Sequence, residues 1–353
     1  MPRALLIKLG AIGDCIMAVP AAHALHQQGY QVDWVCGQAA APILALYPWI
    51  NLHVIDDHAL LRGTPVQRIR VILALWRRFA GQSFDLCATL YYDSRYKLIT
   101  LPIRARRKVL LSHTDRSLTL LPGRHHTDEY LRILTGRPDG ETPARTPPVA
   151  PTSIPPSTLL PQPAKHRILL VPAGARNMMR DDALRRWPVE SYVSLASTLF
   201  LRGFEVVLVG GPDDAWASPL FTHLPVVDLI GKLSLVETLS LLDSAAVTVT
   251  HDTGPLHLAG ITSTAIVSLF GPTDPNGRLP QRPNAVALWG GEDFACRPCY
   301  DGRDFAACTH NGCIRQLTPS MVLAEIDLLL AARTESRNLL PIVRSTPIAT
   351  QAR

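Results

Sequence analysis

Apolar positions along this chain fall into two alternating patterns, short continuous runs and longer stretches spaced three or four residues apart. Residues 4–8 (ALLIK) make a run that stops at Gly10, and residues 14–28 then carry apolar side chains at helical spacing. The pattern predicts a strand feeding a helix through a glycine turn. QVDWVC, LHVID and FDLCATL repeat the strand signal, with helical stretches near 38–47 and 65–80 between them. Strands alternating with helices imply a parallel sheet.

The alternation breaks between Pro138 and Pro163, where nine prolines stand among few apolar residues. Proline removes backbone donors, so this stretch reads as a semi-rigid spacer. Afterwards the rhythm restarts: RILLV, a helix from about 189 to 202, FEVVLVGG, VVDLI, the helix LVETLSLLD, AVTVT, a helix after Thr253, and AIVSLF. The expectation is an α/β chain of two Rossmann-like, doubly wound sheets facing a cleft, over residues 1–137 and 165–335. Residues 138–164 link them and 336–353 form a tail. With 353 residues, the chain exceeds what one core usually organises.

Composition narrows the class. Aromatic residues at 6% are too sparse for a nucleic-acid binder that works by stacking. The apolar start is interrupted by Lys8, two glycines and Asp14, unlike a secretory leader, and no run reaches the roughly 18 apolar residues of a membrane span. Cys15, Cys36 and Cys87 stand singly in apolar stretches, which fits a reducing cytoplasm. Charge is uneven: from Arg62 to Arg124 there are thirteen Lys and Arg against Asp85, Asp93 and Asp115. Its densest point is Arg104, Arg106, Arg107 and Lys108. It reads either as a solvated face or as attraction to an anionic acceptor or leaflet surface, with peripheral contact at the inner membrane.

Three sets of polar residues follow strands, where doubly wound sheets bind ligands. In the first, Gly10 to Asp14, glycines permit close backbone approach and Asp14 stands at the helix start, as a functional carboxylate or as a helix cap. The second, His251 to His257 (HDTGPLH), sets Asp252, Thr253, Gly254 and Pro255 where they can cap a helix whose amide end suits a diphosphate. The turn FGPTDP follows the next strand. The third set is Pro172 to Arg176 (PAGAR) with RRWP at 185–188, where arginines beside a glycine turn can fork onto phosphate oxygens or simply confer solubility. Asp213 and Asp214 suit ribose hydroxyls or a helix cap equally.

LLIKLGAIGD, a Pro-x-Gly turn, RRWP, GGPDD, LIGKLSL, HDTGPLHLA and LFGPTDP occur here in the order found in the ADP-heptose:lipopolysaccharide heptosyltransferases, glycosyltransferase family 9, over roughly residues 5–275. The chain resembles that family, and the resemblance implies the two-domain GT-B fold, with acceptor in the first domain and donor in the second. It implies Asp14 as catalytic base, donor contacts from Arg185, Asp252, Thr253, Gly254 and His257, and the backbone at Leu233 meeting adenine. Gly174 and Asp214 are expected at the donor from their place after strands, and Gly13 and the Arg104, Arg106, Arg107 and Lys108 cluster toward the acceptor from position and charge, since the half after about Arg62 carries no motif of the family. An ADP-sugar donor and an anionic glycolipid acceptor are the implied partners, and no catalytic cofactor is required. Two departures stand out: arginine replaces the family's lysine before RWP, and residues 177–184 form a longer segment. A nucleotide-sugar epimerase of the same architecture, a non-catalytic scaffold, and a transferase acting on a protein remain alternatives.

Near the end, Cys296, Cys299, Cys308 and Cys313 have the spacing C-x2-C-x8-C-x4-C. Four thiolates in one short loop suit a structural zinc or iron ion, or are four reduced thiols.

Overall fold

A computed structural model of the chain describes residues 1–141, 145–160, 166–176, 180–301 and 304–346. It contains two compact units, Met1–Ser153 and Ile154–Arg353. The division falls within the proline-rich stretch, whose first half is bound to unit one. Tyr47 donates its hydroxyl to the Val149 carbonyl at 2.7 Å, and Thr146 N donates to Asp128 Oδ1 at 2.9 Å.

Unit one runs β1 (Arg3–Ile7), α1 (Ile12–Gln27), β2 (Gln31–Gly37), α2 (Ala41–Leu44), β3 (Ile50–Ile55), α3 (Asp57–Leu61), α4 (Pro65–Phe79), β4 (Ser83–Thr89), α5 (Ser94–Ile99), β5 (Arg104–Leu110) and α6 (His126–Thr135). All five strands are parallel, in the order β3-β2-β1-β4-β5. Alternation along β1 explains the double layer. Ala4 and Leu6 pack with Val19, Leu25, Tyr130 and Ile133 of α1 and α6, while Leu5 and Ile7 pack with Leu60, Leu75 and Phe79 of α3 and α4.

The basic stretch Arg104 to Lys108 is the edge strand β5, where charge also deters pairing with another chain. Two of its cations serve the fold. Arg107 donates to the Ile133 and Leu134 carbonyls at the end of α6, and Lys108 donates to the Thr100 carbonyl after α5.

Unit two runs β6 (Arg167–Leu170), α7 (Val189–Leu201), β7 (Glu205–Leu208), β8 (Val227–Asp228), α8 (Leu235–Ser244), β9 (Val247–His251), α9 (Gly254–Gly260), β10 (Ala265–Phe270), β11 (Ala285–Trp289), α10 (Gly312–Arg315), α11 (Pro319–Thr334) and β12 (Ile342–Ser345). Its seven parallel strands have the order β12-β11-β10-β9-β6-β7-β8. Residues after 336, expected as a tail, instead supply β12, which pairs with β11 from Val286↔Ile342 onward. Trp187, Tyr192, Leu195 and Leu199 from the α7 side fill the core beside Ile168, Val249 and Val267. The strand order reverses between β6 and β9, so the turns after these two strands flank the switch point at which such sheets bind ligands.

Candidate active site

In unit one the order reverses between β1 and β4, and the turn after β1 carries Asp14. Asp14 is not the cap of α1: Ala11 occupies that position without a side-chain bond, and Asp14 lies in the first turn. Its carboxylate meets the Lys8 ammonium at 3.0 Å, with side-chain exposures of 28% for Asp14 and 1% for Lys8. The Tyr91 ring lies 4.7 Å from the same ammonium. Burial works against charge on Lys8, but Asp14, followed by Tyr130 and Tyr96, outweighs it and holds the lysine well above its ordinary pKa. The site therefore presents a partly open carboxylate backed by a buried, permanent cation. Gly13 is buried in the same helical turn.

In unit two the sequence-separated donor residues are brought together by hydrogen bonds. Gly174 N donates to Asp214 Oδ1 at 2.9 Å, and Gly211 N donates to Oδ2 of the same carboxylate at 2.8 Å. Asp214 thus braces the turns after β6 and β7, and both its oxygens are engaged by backbone. Thr253, expected to cap α9 with its side chain, makes no such bond; its hydroxyl accepts from Ala175 N at 2.8 Å and ties the β6 turn to the β9 turn. Gly174 needs to be glycine, because its φ is +98° and a Cβ would lie 2.8 Å from Thr253 Oγ1. Gly254 opens α9, with Pro255 in its first turn and His257 buried one turn on. Leu233 is half-buried in the segment between β8 and α8; there Gly231 N donates to the Gly210 carbonyl, which seats this turn against the one after β7.

Asp252 is the electrostatic centre. Its Oδ2 lies 3.5 Å from Arg185 and 3.6 Å from Arg278. Burial raises its pKa, but Arg278, Arg185 and His257 outweigh burial and lower it to about 2. Arg185 Nε and His251 Nε2 are buried without a hydrogen-bond partner, and the Thr273 side chain lies against the Asp252 carboxylate. Unsatisfied buried polar atoms are costly and mark places where a polar ligand is accommodated. Neighbouring His251 is buried, contacts the Tyr192 hydroxyl through Nδ1 at 3.2 Å, and is pushed down to about 3 by burial and then by Arg186. It is a neutral ring.

Sequence reasoning missed Arg278, which follows the FGPTDP turn directly, and it missed what the cysteine loop does. Between Cys299 and Cys308 the loop folds back so that Tyr300 and Phe305 bridge each other with ring centroids 4.7 Å apart. The Tyr300 ring lies 5.8 Å from the Arg180 guanidinium and 5.5 Å from those of Arg185 and Arg278; Phe305 lies 5.5 Å from Arg180 and 5.7 Å from Arg185. Arg180 and Arg185 share Asp182, at 3.1 and 3.0 Å. Of the longer 177–184 segment, residues 177–179 lie outside the described residues. Cys296 is exposed, Cys299 and Cys308 are half-buried and Cys313 is buried, where burial pushes its thiol up to about 11. Among the described residues no three His, Cys, Asp or Glu side chains converge as a metal ligand set, so the four thiols are neighbours without forming a centre.

Residues 152–310 match the model of glycosyltransferase family 9 (heptosyltransferase). Lipopolysaccharide heptosyltransferase 3 of Escherichia coli is 24% identical over 365 residues, covering 93% of this chain and 99% of the relative. Among solved structures, E. coli ADP-heptose lps heptosyltransferase II superposes with a TM-score of 0.70 at 18% identity, covering 95% of this chain and all of that one. The iron-containing dodecameric glycosyltransferase TibC of enterotoxigenic E. coli H10407 gives a TM-score of 0.57 at 17% identity, over 94% of this chain and 77% of that one. These likenesses carry the fold, two Rossmann-like domains in the GT-B arrangement of parallel α/β sheets. Residues 152–310 thus carry a glycosyltransferase family 9 (heptosyltransferase) domain, and the whole chain is similar in sequence and fold to lipopolysaccharide heptosyltransferases.

Proposed function

We propose that this chain is an inverting glycosyltransferase that moves heptose from ADP-heptose to a hydroxyl of a lipopolysaccharide core. The observation that carries this reading is the buried group around Asp252. Two guanidiniums stand 3.5 and 3.6 Å from its carboxylate, Arg185 Nε and His251 Nε2 are buried without a hydrogen-bond partner, and the group sits at the switch point of a family 9 domain. Such a group can exchange its internal ion pairs for phosphate oxygens. Gly174, Thr253 and Asp214 hold the surrounding turns in place for the nucleotide, and Leu233 lies in the segment assigned to adenine.

Asp14 takes the proton of the acceptor hydroxyl as that oxygen bonds the anomeric carbon. The bond from that carbon to the diphosphate breaks in the same displacement, and ADP leaves with the electron pair. One carboxylate suffices for a single displacement. The Lys8 ammonium pairs with the Asp14 carboxylate at 3.0 Å, and Arg185 and Arg278 meet the charge growing on the leaving diphosphate, so no divalent cation enters the step. The acceptor is anionic and lipid-borne, which suits the excess of basic residues in unit one, with Arg104 and Arg106 on its edge strand. Among the described residues no helix is long and apolar enough to cross a membrane, and the contact with the leaflet that this reading proposes is a peripheral one. The spacing of the cysteine loop would suit an iron or zinc ion, but its thiols do not converge on one point among the described residues; metal analysis of protein purified without added metal separates a bound ion, at about one equivalent, from four reduced thiols.

The test is a release assay with ADP-, UDP- and GDP-sugars, with and without a core-lipid acceptor. ADP release from ADP-heptose that depends on the acceptor and survives EDTA is expected. Turnover of UDP-sugars alone would remove the donor assignment, and conversion of the donor without acceptor would favour an epimerase.

A further inference from the structure

Helix α4 has a packed side and an apolar side against which nothing packs among the described residues. Leu75 and Phe79 are buried, and Val71 and Ile72 join them against the core of unit one. Val66, Ile69 and Leu73 recur at i, i+3 and i+7 on the opposite side and are solvent-exposed, as are Leu98 of α5 and Leu101 just after it, with exposures between 38% and 63%. Trp76 lies at the margin and donates its indole N–H to the Leu98 carbonyl at 3.2 Å, so the apolar strip continues from α4 to α5. At 100° per residue, Arg77 and Arg70 flank the strip directly, and Arg62 and Arg78 are exposed nearby. No acidic residue occurs from Arg62 to Phe84.

We infer that this face of α4 and α5 docks on an anionic phospholipid bilayer, with α4 lying in the plane of the interface. A helix with an apolar stripe, an arginine-rich border and little overall hydrophobicity has the composition of an in-plane interfacial helix. The charge excludes the simplest rival, because a second copy of the chain would set arginines against arginines. Exposed leucine and isoleucine likewise have no use on a phosphate backbone. Only a surface that is anionic outside and apolar a few ångströms deeper satisfies both halves of the face. The inference rests on the lipid-borne acceptor proposed above and adds where the leaflet is met. Helix α4 follows α3 and α5 follows β4, so the first turns of both lie toward the carboxyl edge of the first sheet, the edge that carries Asp14, while Leu98 and Leu101 lie toward its amino edge, just before β5.

Co-sedimentation of the full chain with phosphatidylcholine vesicles, with and without phosphatidylglycerol, tests it. Binding is expected only to the anionic vesicles and should weaken with salt. Val66→Ser/Ile69→Ser/Leu73→Ser should reduce affinity by about tenfold or more. Arg70→Gln/Arg77→Gln should cost about 25-fold, since each cation near an anionic leaflet is worth about fivefold. Leu201→Ser, a still more exposed leucine in unit two, should change nothing. Unchanged melting of the variants guards against misfolding. Wild-type binding by the triple serine variant overturns the inference, as does a wild-type dimer that this variant makes monomeric in sedimentation velocity. Vesicle binding without any heptose transfer leaves the surface standing and sinks the transferase reading. Transfer to a delipidated core acceptor without vesicle binding does the reverse.

Discussion

Lys8 and Asp14 show how two residues six apart acquire one chemistry. A lysine inside an apolar strand is expensive to bury unless its charge is matched, and the carboxylate at 3.0 Å supplies the match. Asp14→Asn should lower kcat by about 10²- to 10⁴-fold with ADP affinity nearly unchanged, as for loss of a general base. The substitution also leaves Lys8 without a counter-charge, so the melting temperature should fall. Lys8→Met in the same chain should restore stability without restoring turnover. Near-wild-type kcat in Asp14→Asn would end the assignment of Asp14 as base. At His251 the readout is pH. Its pKa falls from 6.5 to about 3 on folding, so the unfolded chain binds a proton that the native state refuses. Stability from this site is complete above pH 6.5 and is lost as pH falls toward 3, at about 1 kcal/mol per pH unit. Unfolding free energies measured from pH 7 to 5 should therefore slope less in His251→Gln; parallel slopes would show that His251 is protonated in the fold.

At the scale of elements, the turns after β6, β7 and β9 act as one body. Asp214 ties two of them and Thr253 joins the third, while the cysteine loop lays Tyr300 against three arginines. A ring beneath a guanidinium contributes about 0.5–2 kcal/mol and restricts its rotamers. Tyr300→Ala should therefore raise the KM for the donor by about tenfold through loosened Arg185 and Arg278. Tyr300→Phe should retain the part of this effect that the ring supplies, because the ring face lies against the guanidiniums. If Tyr300→Ala leaves donor KM unchanged, the loop plays no part in ordering the arginines.

For the whole molecule, each unit has its own sheet and its own core, and the residues proposed to hold the nucleotide belong to the second. Residues 154–353 expressed alone should fold and bind ADP within about tenfold of the full chain, as expected of a domain with a complete core. Residues 1–153 should not bind it. Failure of the isolated second unit to bind ADP, while folded, would mean that the nucleotide site draws on unit one.

Periodicity and turn residues determined the two parallel sheets, because alternation and helical spacing are local consequences of which face is buried. Helices near 65–80 and 189–202, and the strands leading to Gly10, Gly174 and His251, were legible for that reason. The ordered motifs around Asp14 and Asp252 were legible as well, because they sit directly after those strands. Proximity across long separations was not. No local rule sets Asp214 under Gly174, Arg278 beside Asp252, or Tyr300 over Arg185; these contacts depend on how seven strands are ordered. The same holds for Arg107 and Lys108, whose charge was visible but whose bonds to helix-end carbonyls depend on β5 lying at the sheet edge. It also decided β12, a short strand with too little pattern to announce itself, which exists because β11 offers it an open edge. Sequence fixes which side chains can do chemistry, and only the tertiary fold decides which of them share a site, since strand order is settled by packing of the whole sheet and not by any segment of it.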